Sequence, residues 1–111
     1  MPLLSITTNQ NISDNHNLLK AASALVAEQC HKPERYVMVK AQQKALFFSG
    51  NDQPAAYLEL KSLGLSAEQT TSLSAALCQF MTQQLDIPAE RVYIEFASPE
   101  RAFWGWNKQT F

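Results

Sequence analysis

No stretch of this chain is apolar enough to cross a bilayer, since no uninterrupted run approaches the ~18 residues such a span needs. Nor does a basic segment lead into an apolar stretch near the start, so no secretory leader is expected. Positive charge is not clustered. Nine Lys and Arg stand against ten Asp and Glu, a formal net charge of −1, which argues against nucleic acid or an anionic membrane as the main partner. Cysteine is down to two residues, Cys30 and Cys78, far apart in the chain. Two are no disulfide framework, and both fall on or late in helix-like segments, where they read as buried thiols. With only His16 and His31 beside them, no metal-ligand spacing emerges. The expectation is a cytoplasmic protein with no metal and no cofactor, with non-classical release left open.

What is present is an ordinary globular composition, 46% hydrophobic over 111 residues. That length suggests one domain over residues 1–111 with a modest core. The chain is written twice, in halves of about 1–50 and 51–111. "KPERYVMVKA" from Lys32 can be laid on "PAERVYIEFA" from Pro88, so that Glu34-Arg35 falls on Glu90-Arg91, 56 positions later. Upstream of each lies an amphipathic helix. In the first, Leu18, Leu19, Ala22, Leu25, Val26 and Gln29 form the stripe, with Ser13 or Asp14 as N-cap. The second opens on Ser66-Ala-Glu-Gln69, a capping-box spacing, carries Leu73, Leu77, Phe80, Met81 and Leu85, and is stopped by Pro88.

Each helix follows a strand candidate, Leu3 to Thr8 and Ala55 to Leu63. Strand, crossover helix, strand makes each pair of strands parallel. The fold class is therefore α+β: a duplicated βαβ with a four-stranded mixed sheet and two helices on one face. "ALFFSG" reads as a short extra strand ending in a turn at Ser49-Gly50-Asn51-Asp52. Tyr57, Phe47 and Phe48 would leave apolar surface on the face opposite the helices, which predicts oligomerisation.

Proline directly after the initiator methionine, in "MPLLSITTN", poses a separate question. Pro2 either begins the strand, where its missing N–H is tolerated, or becomes an N-terminal secondary amine once Met1 is removed. With Met1 attached it is a tertiary amide and has no basic lone pair.

Together with "KPERYVMV", "KSLG", "IPAERVYIEF" and the ending "GWNKQTF", the Pro2 start resembles the tautomerase superfamily, and within it the macrophage migration inhibitory factor branch. The resemblance implies a symmetric homotrimer with active sites between neighbouring subunits, and keto–enol tautomerisation of phenylpyruvate-like 2-oxo acids (dopachrome tautomerase-like activity being a variant). It implies Pro2 as the catalytic base and Lys32 as the partner of the substrate carboxylate or carbonyl oxygen. Tyr93 would donate from the neighbouring subunit, the backbone N–H of Leu63 would hold a substrate oxygen, and Tyr36, Trp106 and Phe111 would line the pocket. Burial and the Lys32 charge would lower the Pro2 amine pKa to where it is neutral near pH 7.

Four positions depart from the pattern. Glu95 stands where the mammalian member of this branch carries an asparagine, so an acid would face a carboxylate substrate unless it pairs with Lys32 or points away. Leu65 replaces a lysine after the "SLG" turn. Ala55 and Leu58 occupy the places of a Cys-x-x-Cys pair, which removes support for thiol redox chemistry. Two alternatives to a tautomerase stay open: a cytokine-like binding protein with vestigial activity, and hydratase- or dehalogenase-type chemistry using Glu95.

Overall fold

In the computed structural model, which describes residues 1–111, burial alternates along both central strands. In β1 (Pro2–Thr8) Pro2, Leu4, Ile6 and Thr8 are buried, and in β3 (Ala56–Ser62) Ala56, Leu58, Leu60 and Ser62 are. The period of two sends these residues to one face. That face is covered by α1 (Asn15–Cys30) and α2 (Ala67–Leu85). Leu4, Ile6, Leu58 and Leu60 join Leu18, Val26, Leu73, Leu77 and Met81 in one core cluster.

β2 (Met38–Gln43) and β4 (Val92–Ala97) complete a four-stranded sheet of order β2-β1-β3-β4. β1 and β2 are parallel, β3 and β4 are parallel, and β1 meets β3 antiparallel. The duplicated βαβ and the mixed sheet are as the sequence predicts. The repeat's register is not. Each second strand is entered through a 3-10 turn, Glu34–Tyr36 behind Pro33 and Ala89–Arg91 behind Pro88. The halves therefore superpose 55 positions apart, not 56. A shift of 56 would lay Val39, whose register partner Leu4 is buried, on Glu95, which is exposed. One residue of slip exchanges the faces of a strand.

Caps and stripes follow the residues closely. The Asp14 carboxylate accepts the Asn17 N–H at 3.1 Å, so Asp14 is the cap of α1. The stripe of α1 ends on Cys30, which is buried, in place of Gln29, which is only half-buried. Cys78 is half-buried too; both cysteines are free, and burial pushes both thiol pKa values up. In α2, Ser66 Oγ accepts the Gln69 N–H at 3.3 Å while Gln69 Oε1 accepts the Ser66 N–H at 2.9 Å. Ser66→Ala is expected to cost about 1 kcal/mol, measured as a lower midpoint in urea with an unchanged slope. Helix α2 ends before Pro88: Asp86 takes a left-handed conformation (φ 55°) and its N–H turns back to the helix carbonyls.

Two expectations are corrected. The "ALFFSG" segment forms no strand. No strand of the sheet pairs with it, and only Phe48 and Asn51 bridge, around Ser49 and Gly50 with φ of 55° and 77°. Positive φ at both centres is the hairpin turn that matches strand twist. The short extra strands form at the other end of the chain, as β5 (Gly105–Trp106) and β6 (Gln109–Thr110), around Asn107 and Lys108 with φ of 52° and 68°. The second correction concerns the uncovered sheet face. It is mixed: the register carries Ser5, Thr7, Lys40, Gln42, Glu59 and Glu95 there beside Leu3, Tyr57 and the exposed Met38 and Tyr93. Phe47 is exposed but lies off the sheet, and Tyr57 and Phe48 are half-buried. An antiparallel pair tolerates one hydrated face, so the face itself does not demand a cover.

No helix is long and apolar enough to cross a membrane.

Candidate active site

Strand β1 begins with Pro2 fully buried and in register with Ser62, beside the end of β3. A cavity of ≈ 540 Å³ opens there. Pro2 and Leu3 form one side, and Tyr36, Phe103, Trp104 and Trp106 form much of the rest. The β5–β6 hairpin carries Trp106 over the opening. Trp106 meets Tyr36 edge-on (ring centres 5.7 Å, 84°) and stacks on Phe111 (5.9 Å, 12°). The Phe111 N–H donates to the Trp104 carbonyl at 3.2 Å, which ties the end of the chain to this wall.

Lys32 follows α1 directly. Its N–H donates to the Ala27 carbonyl at 3.0 Å, and the side chain is half-buried. The Met1 amino group feels it. That amine is held below its ordinary value of 8.0, first by burial, then by the Lys32 ammonium, with Arg101 adding to the effect and Cys30 opposing it. Burial and the two cations disfavour the charged ammonium, by lost hydration in the first case and like charge in the second. Leu63 is buried immediately after Ser62, the register partner of Pro2. Thus Pro2, Tyr36 and Trp106 line the cavity, while Lys32, Leu63 and Phe111 lie at the same end of the sheet without lining it.

Tyr93 and Glu95 do not join them. Thr7, Tyr57 and Tyr93 form one row across β1, β3 and β4. Tyr93 therefore lies five residues along the sheet from Pro2 and two strands over, about 17 Å and 10 Å respectively. Tyr93 packs on Phe48 (4.6 Å, 47°) and lines a smaller hollow of ≈ 220 Å³ with Leu46, Phe47, Ala55 and Tyr57. Arg91 fixes this end: Nε and its two terminal nitrogens donate to the carbonyls of Pro54, Phe48 and Gln53 at 2.8, 3.1 and 3.0 Å. Glu95 accepts the Tyr57 hydroxyl at 3.5 Å and stands in register with Glu59. Desolvation, then the Glu59 and Glu95 carboxylates, push the Tyr57 pKa up.

Four side chains of the cavity region were not legible as site residues: Arg35, Lys61, Phe103 and Trp104, all lining it. Lys61 was signalled by the alternation of "AYLELKS", which sends it away from the core one residue before the partner of Pro2.

The family model for macrophage migration inhibitory factor (MIF) matches residues 1–111. The chain belongs to the MIF family. It is 38% identical to the macrophage migration inhibitory factor homolog of Trichuris trichiura, over all of both chains. It is 34% identical to the macrophage migration inhibitory factor of Xenopus tropicalis, covering all of this chain and 99% of the relative. Among solved structures, the homologue from Prochlorococcus marinus superposes with a TM-score of 0.93 at 39% identity, over 98% of each chain. The factor from Trichinella spiralis gives 0.93 at 33%, over 98% and 99%. MIF-like membership carries with it the tautomerase superfamily, which the Pro2 start and the duplicated βαβ already indicated.

Proposed function

We propose that this MIF-family chain is a cofactor-independent keto–enol tautomerase, an isomerase of phenylpyruvate-like 2-oxo acids, with Pro2 as general base after removal of Met1. What supports the reading is the buried start of β1 at an aromatic cavity, in surroundings that hold even the preceding Met1 amine below its ordinary value. A base of this kind works when its neutral form is populated at the working pH. Removal of Met1 moves the amine one residue inward, to a position that is itself fully buried.

In this mechanism the Pro2 nitrogen takes a proton from C3 of the keto acid as the C3–H electrons form the C2–C3 double bond, leaving the enolate charge on oxygen. The same proton then returns to that oxygen, so no atom is gained or lost. Lys32 neutralises the carboxylate and the growing enolate charge, and the Leu63 N–H is its hydrogen-bonding complement. Tyr36, Trp106 and Phe111 orient the aryl ring.

Tyr93 and Glu95 are too far from Pro2 in their own chain to take part there, so they serve a neighbouring copy. That fits a homotrimer with sites between subunits. We read the chain as a single domain, 1–111, acting in the cytoplasm.

The pH dependence follows from the sign of the shift. Only the neutral amine accepts a proton, so kcat/KM rises with pH and levels off above the amine pKa. A lowered pKa moves that rising limb to the acid side of about 8, the ordinary α-amino range. The test is loss of the phenylpyruvate enol absorbance across pH 5–9. A midpoint at or above the ordinary amine range contradicts the reading.

A further inference from the structure

Among the thirteen residues lining the Pro2 cavity there are two cations, Arg35 and Lys61, and no Asp or Glu. They come from different elements, the 3-10 turn after α1 and the strand β3. The Arg35 guanidinium lies over the Tyr36 ring at 4.7 Å and donates to the Tyr36 hydroxyl at 3.4 Å. That contact holds it against the wall and leaves most of its donors free. Lys61 is exposed and in register with Leu3, the residue after Pro2. Arg91, by contrast, has its donors occupied by three backbone carbonyls. Lys32 and Arg101 bring two further positive charges close to the chain start, where both depress the amine. Two cations on the wall, with two more acting on the chain start, give this end of a chain of net charge −1 an excess of positive charge, which Glu59 beside Lys61 offsets only in part and an entering anion would relieve.

A 2-oxo acid with one carboxylate that engages Lys32 leaves Arg35 and Lys61 facing a cavity wall that holds no Asp or Glu. The surface around them, Phe103, Trp104 and Trp106, is aromatic and suits a flat apolar body. We propose that Arg35 and Lys61 are specificity-determining residues that select a dianionic substrate, an aryl 2-oxo acid bearing a second carboxylate across the ring. This rests on the tautomerase reading and deepens it. The reaction is unchanged, because the second carboxylate takes no part in the proton transfer. Charged hydrogen bonds of this kind distinguish substrates by about tenfold or more.

The test compares kcat/KM for phenylpyruvate and for 4-carboxyphenylpyruvate in wild type and in the Arg35→Gln/Lys61→Gln double variant. Wild type is expected to favour the dianion by about tenfold or more, and the double variant to bring the ratio to about one. A wild-type ratio of one or below overturns the proposal. So does an equal loss for both substrates, the outcome expected if the two cations instead meet Glu95 of a neighbouring copy. Should the double variant fail to fold, each single variant is expected to lower the ratio at least about threefold, and an unchanged ratio in both overturns the proposal. Should neither acid be turned over by wild type, the tautomerase reading fails. Calorimetric binding of benzene-1,4-dicarboxylate against benzoate then decides this proposal separately: tighter dianion binding that the double variant loses supports it, and equal binding overturns it.

Discussion

Pro2→Gly is expected to lower kcat/KM for phenylpyruvate tautomerisation by about 10²- to 10⁴-fold, the range a positioned acid–base group contributes. Glycine keeps an N-terminal amine but loses the ring that fixes φ and fills the buried start of β1. The amine then moves and hydrates, which returns its pKa toward ordinary values and takes it off the line to C3. Because the lost interaction belongs to the proton-transfer step, kcat should fall together with kcat/KM. A rise in KM alone would make Pro2 a binding residue. Loss of the buried ring also weakens the strand end, so the rates are compared at a temperature where urea titration shows both proteins folded.

Leu58→Ala should be the most damaging of the conservative core changes. Leu58 is 0% exposed, sits mid-way along the inner strand β3, and joins the cluster that both helices cover. Its neighbours in the sheet, Ile6 and Ile94, are held by the register and cannot close the space. Truncation of such a side chain costs about 2–5 kcal/mol, read as a drop in urea midpoint at constant slope and fixed protomer concentration. Lys20→Ala, on the exposed side of α1, should stay within about 0.5 kcal/mol. Comparable losses at the two positions would mean that the sheet–helix interface is not the source of stability.

The fold was legible because each local signal agreed with the others. The stripe through Leu18, Ala22 and Val26, the Ser66–Gln69 box and the alternation around Leu58 and Leu60 each specify one element, and the crossover rule then orders the strands. What escaped depended on contacts no short window contains. The one-residue difference in repeat register follows from which face Val39 and Glu95 take, and matching Glu-Arg pairs is blind to that. "ALFFSG" has strand-forming residues and no partner strand. The β5–β6 turn had only Asn107 as a signal, without the glycine that usually accompanies it.

The site was legible unevenly. Burial at Pro2 and the aromatic ending are visible in the residues, but the role of the proline amine came from family resemblance. That Tyr93 and Glu95 lie at the far end of the sheet follows from the antiparallel β1–β3 register, a tertiary fact. Arg35 and Lys61 carried no site assignment in the residues, because nothing in their spacing predicts a shared cavity.

If Pro2 is the base proposed, its nitrogen is a neutral secondary amine at neutral pH, and ¹⁵N NMR of protein labelled at proline reads that state without a substrate. The expected result is a Pro2 signal that titrates as a secondary amine with a midpoint below about 8. A signal that stays at amide shifts across the range, as it would with Met1 attached, or a midpoint well above 8, would contradict it.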